Sequence, residues 1–305
     1  MGLWLKRAYR RFGVFVLSWL ANVIGRGGVD AVQSAGDRLG RIHYRLRPFT
    51  TRRLRRHMAR LGGPPATAPA EHLKEAFRHC DRAAFEILAL GAGAIRREEL
   101  AATVDPGEID RFRPLLEQGQ GVILLGLHMG NGVAFVLHLA QMGLPMNVVS
   151  YNSRKMGDNY FQKAVDSENI QVISARPERA AFYGLARALK GGRAVFITMD
   201  QMHKRGGVPA RFLGKDVLMP GGPAALARSL DVPVFPVLAT SAEPKWRFAV
   251  EPAIELPANG DLAADVACLT EVMDRHVIAY PQLWSWHHRR WLKEPFPDEP
   301  WDRIR

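Results

Sequence analysis

Imidazole, small residues and an amide stand together in the stretch Gly126-Leu-His-Met-Gly-Asn-Gly132, and that combination suits proton transfer beside a developing negative charge. His128 is the candidate base. The glycines around Asn131 allow a ligand to approach the backbone closely, and the amides of a helix N-terminus offer donors to an anion or oxyanion. A histidine that merely hydrogen-bonds at a strand end satisfies the same stretch. Further candidates are Asp200 and Gln201, which end another apolar run, and Arg154 in Tyr151-Asn-Ser-Arg154, whose guanidinium suits a phosphate. Glu86 lies on an apolar helical pattern and needs a partner there.

Positioning these groups falls to a set of alternating elements. Val122 to Leu127 is an apolar run typical of a fully buried strand, and Val133 to Gln141 reads as the helix after it. His128 is thereby placed at the carboxyl end of a strand, where α/β sheets bind ligands. Strands follow at Met146 to Tyr151, Gln171 to Ser174, Ala194 to Met199, Val234 to Thr240 and Arg247 to Val250. Helices are expected over Asn159 to Ser167, Arg179 to Lys190 and Val266 to Ile278, and earlier over Ala31 to Leu46 and His72 to Leu90. The spacing predicts an α/β fold with a mainly parallel central sheet flanked by helices. Arg96 to Arg113 reads as irregular and charged, and Gly206 to Asp216 as a loop region before a helix that opens on Gly221-Gly-Pro223. The amides of that helix suit phosphate or a packing turn equally.

The 305 residues are 47% apolar, and the net charge of +12 is unevenly spread. Residues 1–60 hold fourteen Lys and Arg against Asp30 and Asp37, which accounts for the whole excess. Such a segment suits a polyanionic surface, membrane or nucleic acid. Trp4, Trp19 and the apolar run Phe12 to Ile24 among the arginines favour a membrane and argue against nucleic acid. That run is too short to span a bilayer and reads as an interfacial or partly inserted helix, so the chain divides into a basic, amphipathic, membrane-associated helical region (1–60) and an α/β domain (61–305). Cys80 and Cys268 lie in apolar contexts without metal spacing and read as reduced core residues. No Gly-x-Ser-x-Gly elbow points to a serine hydrolase. His287 and His288 lie in an aromatic tail without zinc-type spacing and read as packing or headgroup contacts.

Four pieces, taken together, resemble the bacterial lipid A biosynthesis acyltransferases, the late lauroyl and myristoyl transferases, and the related mycobacterial phosphatidylinositol mannoside acyltransferases. They are Gly126-Leu-His-Met-Gly-Asn131, Val195-Phe-Ile-Thr-Met-Asp-Gln201, Phe212-Leu-Gly-Lys-Asp-Val-Leu-Met-Pro-Gly-Gly-Pro-Ala-Ala-Leu-Ala227 and Tyr280-Pro-Gln-Leu-Trp-Ser-Trp-His-His-Arg-Arg-Trp291, in the family's order. The resemblance implies an enzyme at the cytoplasmic face of the inner membrane. It implies transfer of a fatty acyl group from an acyl carrier protein or coenzyme A thioester to a hydroxyl of a lipid or glycolipid, with no metal or resident cofactor. Asn131 and the amides of Gly130 and Gly132 suit that thioester oxygen as it becomes an oxyanion, or a tight turn equally, and Arg154 resembles in position the family's arginine near a donor or acceptor phosphate.

The family's motif is a His followed by four residues and an Asp or Glu, the acid orienting the imidazole. Here the acid's position is Val133, which accepts no hydrogen bond. Three readings follow. Another acid replaces the missing one, with Asp200 the best placed and Asp158, Glu168 and Asp216 behind it. Alternatively, His128 works without an acid on a more reactive phenol or amine acceptor, or the fold binds lipid without catalysis.

Overall fold

The computed structural model describes residues 3–59, 69–150, 162, 165, 167–201, 203, 206–257 and 259–286. Four helices come first: α1 (Leu3–Gly25), α2 (Gly28–Leu46), α3 (Pro48–Ala59) and α4 (Pro69–Gly91). Next come α5 (Arg97–Ala101), β1 (Val104–Asp105) and α6 (Arg113–Glu117). The alternating part contains β2 (Val122–Gly126), α7 (Gly132–Gln141), β3 (Met146–Ser150), β4 (Ile170–Ser174), α8 (Glu178–Lys190) and β5 (Ala194–Thr198). It continues through β6 (Val208–Phe212), β7 (Lys215–Met219), α9 (Gly222–Leu230), β8 (Val234–Ser241), β9 (Trp246–Val250) and α10 (Leu262–Ala279).

Seven strands form one sheet in the order β1-β9-β8-β2-β5-β3-β4, parallel throughout except for the β8–β9 pair. This is the α/β architecture that the alternating pattern predicts. Every residue of β2 is buried, as a strand covered on both faces must be, and its sequence is correspondingly apolar. On α7, Phe135 packs its ring 4.7 Å from that of Phe248 and 6.1 Å from that of Phe196, fastening the helix to strands on both sides of β2.

Two stretches read as irregular are built. Between Arg96 and Arg113, α5 and β1 are formed, and β1 joins the sheet edge beside β9; a two-residue strand carries too little periodicity to be seen in sequence. From Val208 to Met219 the chain makes an antiparallel hairpin. Its turn residues Leu213 and Gly214 both have positive φ, the twist that tight hairpins require. Leucine is rare in that conformation, which hides the turn from a residue-by-residue reading. The helix expected over Asn159 to Ser167 lies almost wholly outside the described residues. The two cysteines form no disulfide and are half-buried rather than core residues.

The N-terminal helices pack on α4. α2 crosses it so closely that a Cβ added at Gly36 would lie 2.6 Å from Arg82 Cα. The rings of His43 and Tyr44 stand edge-on to Phe77 at 5.0 and 5.5 Å. Seven of the ten exposed large apolar side chains among the described residues belong to this region: Phe15, Leu17, Trp19, Val23, Ile42, Leu46 and Phe49. Among the described residues, no helix is long and apolar enough to cross a membrane.

Candidate active site

The site follows from strand register. β2 and β5 are adjacent and parallel, with Gly126 opposite Thr198. Two residues beyond that pair on each strand stand His128 and Asp200, so the sheet itself sets them side by side at its carboxyl edge. His128 Nδ1 lies 2.6 Å from Asp200 Oδ1, and the same oxygen accepts the backbone N–H of His128 at 3.1 Å. Asp200 is wholly buried, whereas the imidazole is 30% exposed. An ionised carboxylate only accepts, so Nδ1 carries the proton and Nε2 the lone pair. Gln201 Nε2 lies 3.1 Å from His128 Nε2 on the outer side of the ring.

The second oxygen of Asp200 accepts the indole N–H of Trp284 at 2.8 Å, inside the protein. Around Trp284 the C-terminal segment is laced to the histidine turn. Met129 and Trp284 form an antiparallel bridge, Ser285 donates its N–H to the carbonyl of His128 at 2.9 Å, and Gly130 donates to the carbonyl of Leu283 at 3.2 Å. Trp284 packs against Trp286 at 4.8 Å and Phe212 at 5.8 Å, which brings the β6–β7 hairpin into the same cluster. The hairpin turn is held by Asp274, which accepts the N–H of Leu213 at 2.8 Å; burial pushes its carboxyl up to about 6.

Asn131 caps α7: its Oδ1 accepts the N–H of Ala134 at 3.0 Å, while its Nδ2 donates to Glu86 at 2.6 Å. The expectation that Asn131 and the amide of Gly130 serve an oxyanion meets two donors already engaged within the protein. Gly132 opens α7, where helical amides lack an intrahelical partner. Gly130 has φ +60°, and a Cβ there would lie 2.8 Å from Ala239 Cβ, so the turn needs glycine.

Of the other acids considered, Glu168 and Asp216 are exposed, while Asp158, like Arg154, His287 and His288, lies outside the described residues. Val133 is buried in α7. Gly221 abuts Val208, where a Cβ would come within 2.9 Å. Neither Trp284, in the aromatic piece near the C-terminus, nor Trp246, between Lys245 and Arg247, stands in a sequence context that names its partner.

This geometry, a histidine backed by a buried acid at the sheet edge, is accompanied by a match over nearly the whole chain. Residues 3–293 match the family described as bacterial lipid A biosynthesis acyltransferase, and the chain belongs to that family. A relative, the phosphatidylinositol mannoside acyltransferase of Mycolicibacterium smegmatis, is 26% identical over 259 residues, covering 82% of this chain and 83% of the relative. Together they define an acyltransferase acting on a lipid-like acceptor.

If Trp284 fixes Asp200, Trp284→Phe keeps a ring in the cluster but removes the donor. Turnover is expected to fall about tenfold, the order of one hydrogen bond to a charged group. Acyl-transfer rates on protein checked by near-UV circular dichroism measure this, and parental turnover in the folded variant contradicts it.

Proposed function

We propose that the protein moves a fatty acyl group from an acyl carrier protein or coenzyme A thioester to a hydroxyl of a membrane glycolipid, with His128 as general base and Asp200 as its orienting acid. The observation that carries this reading is the 2.6 Å contact between His128 Nδ1 and the buried Asp200 Oδ1. A carboxylate there fixes the tautomer with Nε2 as base and stabilises the imidazolium that forms. Asp200 thereby supplies what Val133 cannot.

The acceptor hydroxyl donates its proton to His128 Nε2 as its oxygen attacks the thioester carbonyl carbon. The carbonyl oxygen becomes an oxyanion, for which the Gly132 amide at the mouth of α7 is the remaining candidate donor of the three. The C–S bond then breaks, the ester forms, and the departing sulfur takes the proton back from His128. Gln201 Nε2, 3.1 Å from His128 Nε2, stands on the side from which the hydroxyl approaches. Proton transfer and acyl transfer balance without a resident metal or cofactor. Arg154 is kept as a candidate for a phosphate of donor or acceptor.

The acceptor class rests on what the family and the relative share. The family's name points to lipid A and the relative's to a phosphatidylinositol mannoside, both lipids that carry sugar. A surface for that membrane is supplied by Phe15, Trp19 and Val23, spaced four residues apart on α1, and by Leu46 and Phe49 at the α2–α3 corner. Exposed Arg45, Arg47 and Arg52 flank the second group along the chain, with exposed Arg38 and Arg41 further back on α2. Apolar insertion with basic flanks fits the cytoplasmic face of an anionic inner membrane.

The direct test incubates the protein with a labelled long-chain acyl thioester, in coenzyme A and carrier-protein forms, and a bacterial total lipid extract. A labelled glycolipid is expected, with His128→Ala lowering the rate about 10³-fold, within the usual range for losing a general base. Absence of labelling from either donor leaves the lipid-binding reading in its place. The membrane surface has its own check: Leu46→Ser with Phe49→Ser is expected to weaken flotation with anionic phosphatidylglycerol vesicles about tenfold or more, given two large side chains withdrawn from the interface. Undiminished flotation contradicts the assignment of that corner.

A further inference from the structure

Glu86 is a carboxylate with no exposure at all, on α4, away from the dyad. Three donors from three parts of the chain converge on it. Asn131 Nδ2 lies 2.6 Å from Oε2, Gln33 Nε2 2.7 Å from Oε1, and Trp246 Nε1 spans both oxygens at 3.0 and 3.2 Å. Arg82, also buried, brings Nε to 3.6 Å from Oε1 and sets its guanidinium over the Trp246 ring at 5.0 Å. Burial holds the Glu86 carboxyl above its ordinary value, outweighing the downward pull of Arg82 and the three donors. A site with donors alone fits an acceptor-only group.

A buried charge is costly, and well-packed apolar residues often replace one without loss of stability. Here the carboxylate is joined to the histidine turn. That turn is tied down at His128 by Asp200 and Ser285, at Gly130 by Leu283, and at Asn131 by Glu86. The first ties come from β5's end and the C-terminal segment; the Asn131 tie reaches α4 and, through Gln33, α2. Asn131 cannot reverse its amide, because Oδ1 already accepts from Ala134. Trp246 closes the arrangement from below, its ring 3.4 Å from where a Cβ at Gly130 would be.

We propose that Glu86 is a positioning residue: it holds Asn131, and through Asn131 the turn that sets His128 against Asp200. The proposal rests on the acyl-transfer reading given above. It makes the 86–131 hydrogen bond a determinant of turnover rather than of substrate affinity.

Asn131→Asp tests this. The new carboxylate still caps Ala134 but repels Glu86 and loses the donor. The double variant Glu86→Gln with Asn131→Asp restores a hydrogen bond with donor and acceptor exchanged. Asn131→Ser keeps a cap too short to reach Glu86 and carries the test if Asn131→Asp does not fold. In full-length protein, the kcat of the single variants is expected to fall about tenfold or more with KM for the acyl thioester within about twofold, and the double variant to recover most of the loss. A second readout needs no turnover: the downfield proton resonance of His128 Nδ1–H, assigned by its loss in His128→Ala, should shift or broaden in the single variants and return in the double.

Folded Asn131→Ser with parental kcat and an unmoved resonance overturns the proposal, as does a folded double variant that recovers neither. If the parental protein transfers nothing, the acyl-transfer reading fails, while the resonance still decides whether Glu86 positions His128.

Discussion

The contact on which the rest of the structure depends is the hydrogen bond between His128 and Asp200, and it is a product of register. Two buried parallel strands, aligned so that Gly126 faces Thr198, deliver residues from distant parts of the chain to adjacent positions at one sheet edge. A shift of one residue in that pairing would send the carboxylate to the opposite face. The apolar runs of β2 and β5 therefore matter to the site as well as to the core: they exclude water from Asp200 and make its hydrogen bonds to His128 and Trp284 count. In this arrangement an acid from the neighbouring strand lies against His128, and the helix after the turn, with Val133 in its first turn, is apolar throughout its buried face.

What surrounds the pair is a set of constraints from elements far apart in sequence. Trp284 and the 283–285 segment close over the turn from the C-terminal side. α4 supports it from the N-terminal side through Asn131. α2, whose far end exposes Leu46 beside basic residues, packs on α4 through Gly36 and Gly40 and reaches the buried Glu86 with Gln33. The basic N-terminal helices and the α/β part thus meet physically at one buried carboxylate.

Much of the sheet was legible because fully buried strands have a plain signature. Val122 to Leu127 and Ala194 to Met199 are short, mostly apolar runs, and the polar residues that end them are His128 and Asp200. The hairpin was not legible, since its turn uses Leu213 at positive φ, supported by Asp274 from a helix some sixty residues later. Asn131 shows a different limit. Its residue type suits an oxyanion donor and a helix cap equally, and only its partners, Ala134 and Glu86, distinguish the two. Glu86 was recognisable as a carboxylate in need of a partner, but its partners lie 45, 53 and 160 residues away and no local pattern names them.

The central claim is that His128 and Asp200 act as one unit in acyl transfer, and a double-mutant cycle tests it most directly. Transfer rates from one labelled acyl thioester to one purified glycolipid acceptor would be compared for the parental protein, His128→Ala, Asp200→Asn and the double variant. Residues that work as a unit lose their function together, so the double variant should be no slower than His128→Ala within about threefold. Losses that multiply across the two sites would contradict the account, because each residue would then be contributing without the other.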